Sequence, residues 1–174
     1  EMQRYFVPAG QFADRTVVLI GDDAHHAIRV MRMSVGDRFI CSNGVDREAI
    51  VEITRLAKTT VEATVVEERA MTSEPAVRVW VAQSLPKGDK MDSVVQKCTE
   101  IGADRFIPYT SERSIVQYAA DKAARRCERW RKIAKEAAEQ AHRNRIPAVD
   151  EPVSWERILQ LAGAADLALI CYEK

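Results

Sequence analysis

The chain has 174 residues, 47% of them hydrophobic, 30% charged and 6% aromatic, a composition that excludes disorder and collagen-like structure and supplies apolar matter for one large core or two small ones. No run approaches the roughly 18 consecutive apolar residues of a membrane span, and Glu1-Met2-Gln3-Arg4-Tyr5 lacks the apolar stretch of a secretory signal. Net charge is zero, from 26 basic and 26 acidic residues, which taken alone argues against a nucleic-acid partner.

The cancellation is not local. Residues 1–77 hold 9 Lys/Arg against 12 Asp/Glu, residues 78–145 hold 15 against 9, and residues 146–174 hold 2 against 5. Between Lys122 and Arg145 stand 9 basic residues and 3 acidic ones, so one segment carries the whole excess and points to a polyanion-binding face. Cys41, Cys98, Cys127 and Cys171 are widely spaced with no CxxC pair, which indicates neither a disulfide framework nor a zinc site and fits a reducing cytoplasm.

In chain order, Thr16 to Ile20 reads as a short strand, and Asp22 or Asp23 caps a helix reaching Met33. Gly36-Asp37 turns the chain into a strand over 38–42, and Asn43-Gly44 is a hairpin signal. Two alternating runs follow, 48–56 and 60–69, with Val61, Ala63 and Val65 on one face. Such a set closes into a small barrel. Residues 71–76 have no apolar periodicity and mark a domain boundary, which divides the chain into residues 1–73 and 74–174.

Beyond it the pattern changes. An apolar strand over 77–85, the turn Pro86-Lys87-Gly88-Asp89, a helix over 90–101 ended by Gly102 and a strand over 105–109 make a β-α-β unit with parallel strands. A long helix over 119–140 has its apolar stripe at Ala123, Cys127, Trp130, Ala134, Ala137 or Ala138, and Ala141. Ser154 begins a short helix to Ala162, and 166–172 reads as a third strand, apolar on both faces. With only two residues after it, that strand implies a chain that continues past Lys174 in the intact protein, or a partner subunit that covers it. Trp80, Trp130 and Trp155 all fall on apolar stripes and read as core.

Three stretches hold chemistry. Lys87-Gly88-Asp89-Lys90 lies at the C-terminal end of a strand and opens a helix, a place where two lysines can hold phosphate, although the P-loop spacing is absent and an ordinary turn reads as well. Arg113, after the next strand, belongs to the same sheet edge as a phosphate fork or a surface ion pair. In the third, Glu136, Gln140 and Arg143 are spaced to share one helix face, continued upstream by Arg125, Arg129 and Lys132. Lys132 to Glu136 and Lys135 to Glu139 pairs account for part of that charge but leave Arg125, Arg126, Arg129, Arg143 and Arg145 with too few acids. His25-His26 has no further ligand nearby for a metal, so no metal site is expected, and with Arg29 and Arg32 it forms a second small basic patch.

These segments together resemble the RsmE family of 16S ribosomal RNA (uracil-N3)-methyltransferases. The resemblance rests on Arg4-Tyr5-Phe6, on His25-His26-Ala27-Ile28-Arg29-Val30-Met31-Arg32 with Gly36-Asp37, and on Leu85-Pro86-Lys87-Gly88-Asp89-Lys90-Met91. It continues through Gln96 to Gly102, Ser111-Glu112-Arg113-Ser114, and Arg129 to Ala134 with Glu136 to Gln140 and Arg143. It implies an α/β chain with an N-terminal PUA-like β-barrel followed by part of a SPOUT-type domain with a parallel sheet. The family's Gly-Pro-Glu-Gly-Gly and Leu-Gly-x-Arg-Ile-Leu-Arg segments, which build a trefoil knot and most of the S-adenosylmethionine pocket, are not in the sequence. The main cofactor pocket is therefore expected beyond Lys174, with Tyr172 and Glu173 at its margin.

The activity so implied is S-adenosylmethionine-dependent methylation of N3 of one uridine, in 16S rRNA or the small ribosomal subunit, by a homodimer with no membrane attachment and no metal. Arg143, Gln140 and Arg145 are then assigned to the base or its flanking phosphates as catalytic candidates. Lys87, Lys90, Arg113, Arg125 and Arg129 go to backbone phosphates, and Arg4, His25, Arg29 and Arg32 to RNA docking by the barrel. The competing expectations are an RNA-binding module without catalysis, and a small-molecule α/β enzyme that uses the Lys87 to Lys90 turn.

Overall fold

The computed structural model describes residues 2–110 and 120–171, in two compact units. One comprises Glu1–Ala76 with Lys135–Ile146, the other Val77–Ala134 with Pro147–Lys174.

The first unit is a six-stranded sheet built from β1 (Arg4–Phe6), β2 (Phe12–Ala13), β3 (Thr16–Leu19), β4 (Arg38–Ser42), β5 (Glu48–Leu56) and β6 (Val61–Arg69), in the order β1-β4-β5-β6-β3-β2. All neighbours are antiparallel except β1 with β4. Alternation decides the inner face: Val61, Ala63 and Val65 are buried, with Val17, Leu19, Phe39, Val51 and Ile53 against them. Burial of each large side chain contributes about 1.5–3 kcal/mol. Register shifts in β5 at Ile50/Val51 and Ile53/Arg55 bend that strand, and the sheet curls into a half-barrel with β1 and β2 at its two ends. Asn43 and Gly44 do mark the β4-β5 hairpin, in a loop wider than two residues. The Asn43 side-chain oxygen accepts from the N–H groups of Val45, Asp46 and Arg47 at 3.0, 3.1 and 3.0 Å, and Gly44 has φ +72°.

The helix expected from Asp22 or Asp23 to Met33 is shorter and changes pitch. One α-turn, α1 (Gly21–His25), passes into a π-turn over His26–Val30, where Met31 N–H reaches back to the His26 carbonyl at 2.9 Å. Ile20 is the N-cap residue and no side chain caps the helix.

The second unit holds β7 (Val79–Ser84), α2 (Lys90–Glu100) and β8 (Ala103–Thr110), the β-α-β unit of the sequence pattern, with β7 and β8 parallel. It continues through α3 (Ala120–Gln140), whose residues from Lys135 on belong to the first unit, and then β9 (Ala148–Val149), β10 (Val153–Ser154) and α4 (Trp155–Gly163). Met91 and Val95 of α2, Phe106 of β8, Cys127, Trp130 and Ala134 of α3 and Val149 form its core. The stripe expected on α3 is buried at Cys127, Trp130, Ala134, Ala137 and Ala138, whereas Ala123 and Ala141 are half-buried. Ser154 caps α4 by accepting from Arg157 N–H at 3.3 Å.

Two expectations fail in this unit. Residues 166–171 form no strand, and Leu167, Leu169 and Ile170 are 74%, 83% and 75% exposed. A strand exists only where a ladder partner exists, and β8 is flanked instead by β7 on one side and by β9 and β10 on the other, all parallel to it. Of the three tryptophans only Trp130 is core. Trp80, on the terminal strand β7, is 41% exposed with the Arg105 guanidinium 4.8 Å from its ring centre, and Trp155 is 38% exposed beside Tyr109.

Candidate functional site

The functional candidates at the end of α3 are set by how that helix stops. His142 takes φ +53°, its N–H bonds the Glu139 carbonyl at 3.2 Å, and Arg143 N–H bonds the Ala138 carbonyl at 2.9 Å. This is a Schellman closure with histidine where glycine is usual, at a backbone cost of about 1 kcal/mol. The reversal removes Arg143 from the helix. It does not share a helical face with Glu136 and Gln140, because the spacing rule holds only while the helix continues.

Arg143, Asn144 and Arg145 are then held from several sides. Arg143 is 4% exposed, and its guanidinium pairs with Glu74 at 2.6 Å. The other carboxylate oxygen of Glu74 accepts the backbone N–H of Asn144 and of Arg145, both at 2.9 Å. Asn144, 1% exposed, donates its amide to Glu48 at 2.7 Å and accepts from Ser73 N–H at 2.6 Å. Glu48 is itself buried and paired with the Arg4 guanidinium, which also donates to the Arg143 carbonyl at 2.9 Å. Glu48, Glu74 and Asn144 are absent from the sequence-level candidates. Isolated acids and an asparagine in polar stretches carry no periodic signal.

Arg4 is corrected by this geometry. At 2% exposure its guanidinium is a buried partner of Glu48 and not a docking group for RNA. Arg143 likewise presents no guanidinium to solvent, whereas Gln140 is exposed and Arg145 half-exposed. A second polar cluster lies beside β1. Lys135 pairs with Asp23 at 2.6 Å and with Glu139 at 3.2 Å, Glu139 accepts Phe6 N–H at 3.0 Å, and Tyr5 bonds His26 Nδ1 at 2.9 Å. Burial pushes the Glu139 carboxyl above the usual glutamate range against the opposing pull of Lys135. For Lys135 burial works against the charge, but the Asp23 hydrogen bond and the Glu139 and Asp23 charges outweigh it and hold its pKa above the ordinary lysine value.

The exposed cations among the sequence candidates fall in two sets. In the first unit His25, Arg29 and Arg32 are exposed around the π-turn, and Arg32 has φ +52°. In the second, Lys87 and Lys90 stand at the turn into α2 and Arg125 on α3, all exposed and without an acidic partner among the described residues. Arg129 is exposed but ion-paired with Asp92, which also accepts Trp130 Nε1–H at 3.1 Å. The acids missing around α3 in the sequence thus come from distant segments: Asp92 for Arg129 and Glu74 for Arg143. Arg113, Tyr172 and Glu173 lie outside the described residues. Among the described residues no group of three His, Cys, Asp or Glu is placed to hold a metal, and no helix is long and apolar enough to cross a membrane.

The RNA methyltransferase domain model matches residues 72–174, and the RNA methyltransferase PUA domain model matches residues 19–66. A ribosomal RNA small subunit methyltransferase E from Bacillus subtilis is 40% identical, covering 99% of this chain and 69% of that protein. The protein of the same name from Synechocystis is 32% identical over 97% of this chain and 54% of its own length. The crystal structure of a ribosomal RNA small subunit methyltransferase E from Neisseria gonorrhoeae, bound to S-adenosyl methionine, superposes with a TM-score of 0.82 at 30% identity, covering 91% of this chain and 65% of that one.

Tyr172 and Glu173, expected at the margin of that cofactor's pocket, are outside the described residues. The run before Tyr172 leaves Leu167, Leu169 and Ile170 exposed. The fold and the identity across nearly the whole chain nevertheless agree, and the chain belongs to the ribosomal RNA small subunit methyltransferase E family.

Proposed function

We propose that this chain is the PUA-like segment and part of the catalytic segment of an enzyme that methylates N3 of one uridine in the 16S rRNA of the small ribosomal subunit. The observation that carries the reading is 40% identity to the Bacillus subtilis enzyme over 99% of the chain, with both domain models matched in order. S-adenosylmethionine supplies an electrophilic methyl on its sulfonium. The rest is binding and orientation by protein groups.

Uracil N3 carries a proton at neutral pH, so the base must be held with its developing negative charge on O2 and O4 facing hydrogen-bond donors. Gln140 and Arg145, the two accessible groups at the end of α3, are the donors this reading assigns to the base or its flanking phosphates. Arg143 orders the chain between them through Glu74 instead of touching RNA. Lys87, Lys90 and Arg125 take backbone phosphates, and His25, Arg29 and Arg32 dock a second stretch of RNA on the half-barrel. The working form is a homodimer in the cytoplasm, where small subunits are assembled; the exposed Val79 and Trp80 of β7 are consistent with further covering of that strand.

The test is transfer of labelled methyl from S-adenosylmethionine, by the full protein, to small subunits lacking the modification. Mass spectrometry of the digested RNA should show one N3-methyluridine. Methyl on another atom, or none, overturns the assignment.

A further inference from the structure

We propose that Glu74 is a positioning residue for RNA recognition, fixing the chain that leaves α3 so that Arg145 is presented to the RNA; this rests on the function proposed above. The segment after a helix cap is ordinarily loose, yet here three donors of three successive residues converge on one carboxylate: Arg143 Nη2 at 2.6 Å and the N–H groups of Asn144 and Arg145 at 2.9 Å. Two consecutive backbone N–H groups directed at one oxygen form an anion nest, and the chain fills it with its own side chain from far back in the sequence.

Stability alone would not require this arrangement, because well-packed apolar residues serve a buried site as well as or better than charge pairs. What the polar network adds is direction. Asn144 is pinned by Glu48 and by Ser73 N–H, and Ser42 Oγ donates to its carbonyl at 3.4 Å. With Asn144 fixed and its own N–H held by Glu74, Arg145 has its Cα–Cβ direction set. Arg145 meanwhile is half-exposed, and its guanidinium has no acidic partner among the described residues. A backbone held this firmly under an unpaired cation is the geometry of a presented group.

The experiment measures dissociation constants of the full protein for small-subunit rRNA, and melting temperatures, for wild type, Glu74→Gln, Arg145→Ala and the double variant. Glu74→Gln keeps an acceptor oxygen but loses the charge and mispairs with Arg143. It should weaken RNA binding by about fivefold, in line with a lost charge-assisted hydrogen bond. In the double variant RNA binding should be no weaker than in Arg145→Ala alone, while the melting temperature falls by the same amount in both backgrounds. Amide exchange at Asn144 and Arg145 should quicken in Glu74→Gln, and Glu74→Asp, a gentler change for the fold, should show the same coupling at smaller size. Additive losses of RNA affinity, or unchanged affinity in Glu74→Gln, overturn the role of Glu74 alone. Wild-type protein that does not bind the RNA overturns the proposed function and this role with it.

Discussion

Asn144 donates its side-chain amide to the buried carboxylate of Glu48 over 2.7 Å, joining residues almost a hundred positions apart in the sequence. Glu48 also neutralises Arg4, and both are 2% exposed. Glu48→Ala therefore leaves an uncompensated buried guanidinium, and the first unit should lose about 3–5 kcal/mol. All three tryptophans lie in the second unit, so the loss is to be read from amide exchange in β5 and β6 and not from tryptophan fluorescence. Exchange as slow as in wild type would show that Arg4 finds another partner.

Arg32 offers a substitution with opposite signs on two measurements. Its φ of +52° suits glycine, so Arg32→Gly should stabilise the first unit by a few tenths to about 1 kcal/mol. The same change removes an exposed cation and should weaken rRNA binding. Affinity equal to wild type would take Arg32 out of the RNA surface.

Lys87 and Lys90 are assigned to phosphates and not to bases. Replacing both with alanine should weaken binding to RNA of any sequence and reduce the slope of log affinity against log salt by about 1–2, the counterions of two contacts. A changed sequence preference at constant slope would contradict the assignment.

The buried Glu139 carboxyl makes stability depend on pH. Its pKa in the folded protein lies above the ordinary 4.5, so the folded state binds this proton more tightly than the unfolded state does. Its favourable contribution is complete below 4.5 and is lost as pH rises through the folded value. The stability of wild type relative to Glu139→Gln should accordingly decline from pH 4.5 upward and then level off, measured by urea unfolding at fixed ionic strength. A difference that grows with pH would mean that Lys135 dominates the carboxyl.

Long alternating strands and the apolar stripe of α3 were legible in the sequence because period 2 and period 3.6 leave marks over nine or more residues, as at β5, β6 and α3. β9 and β10, two residues each, leave none. The apolar run 166–171 carries a strand's composition, but pairing is a property of a partner and not of the run. At the candidate site, sequence spacing put Gln140 and Arg143 on one helix face, but the turn at His142, with no glycine to announce it, takes Arg143 off that face. The exposed lysines were recognisable from local charge. The burial of Arg4 was not, because its partner Glu48 is distant in sequence and ordinary in its surroundings.

The first unit is not contiguous in the chain: it needs Lys135–Ile146 as well as Glu1–Ala76. During synthesis the half-barrel strands leave the ribosome long before the residues that satisfy Glu48 and Glu74 exist as polypeptide. Until positions 135 and 144 have emerged in turn, the sheet has no Lys135 to meet Asp23 and no Asn144 to meet Glu48. The nascent N-terminal segment thus lacks part of its native contacts while residues 77–134 are being made, and its completion waits on translation of the end of α3 and the turn after it.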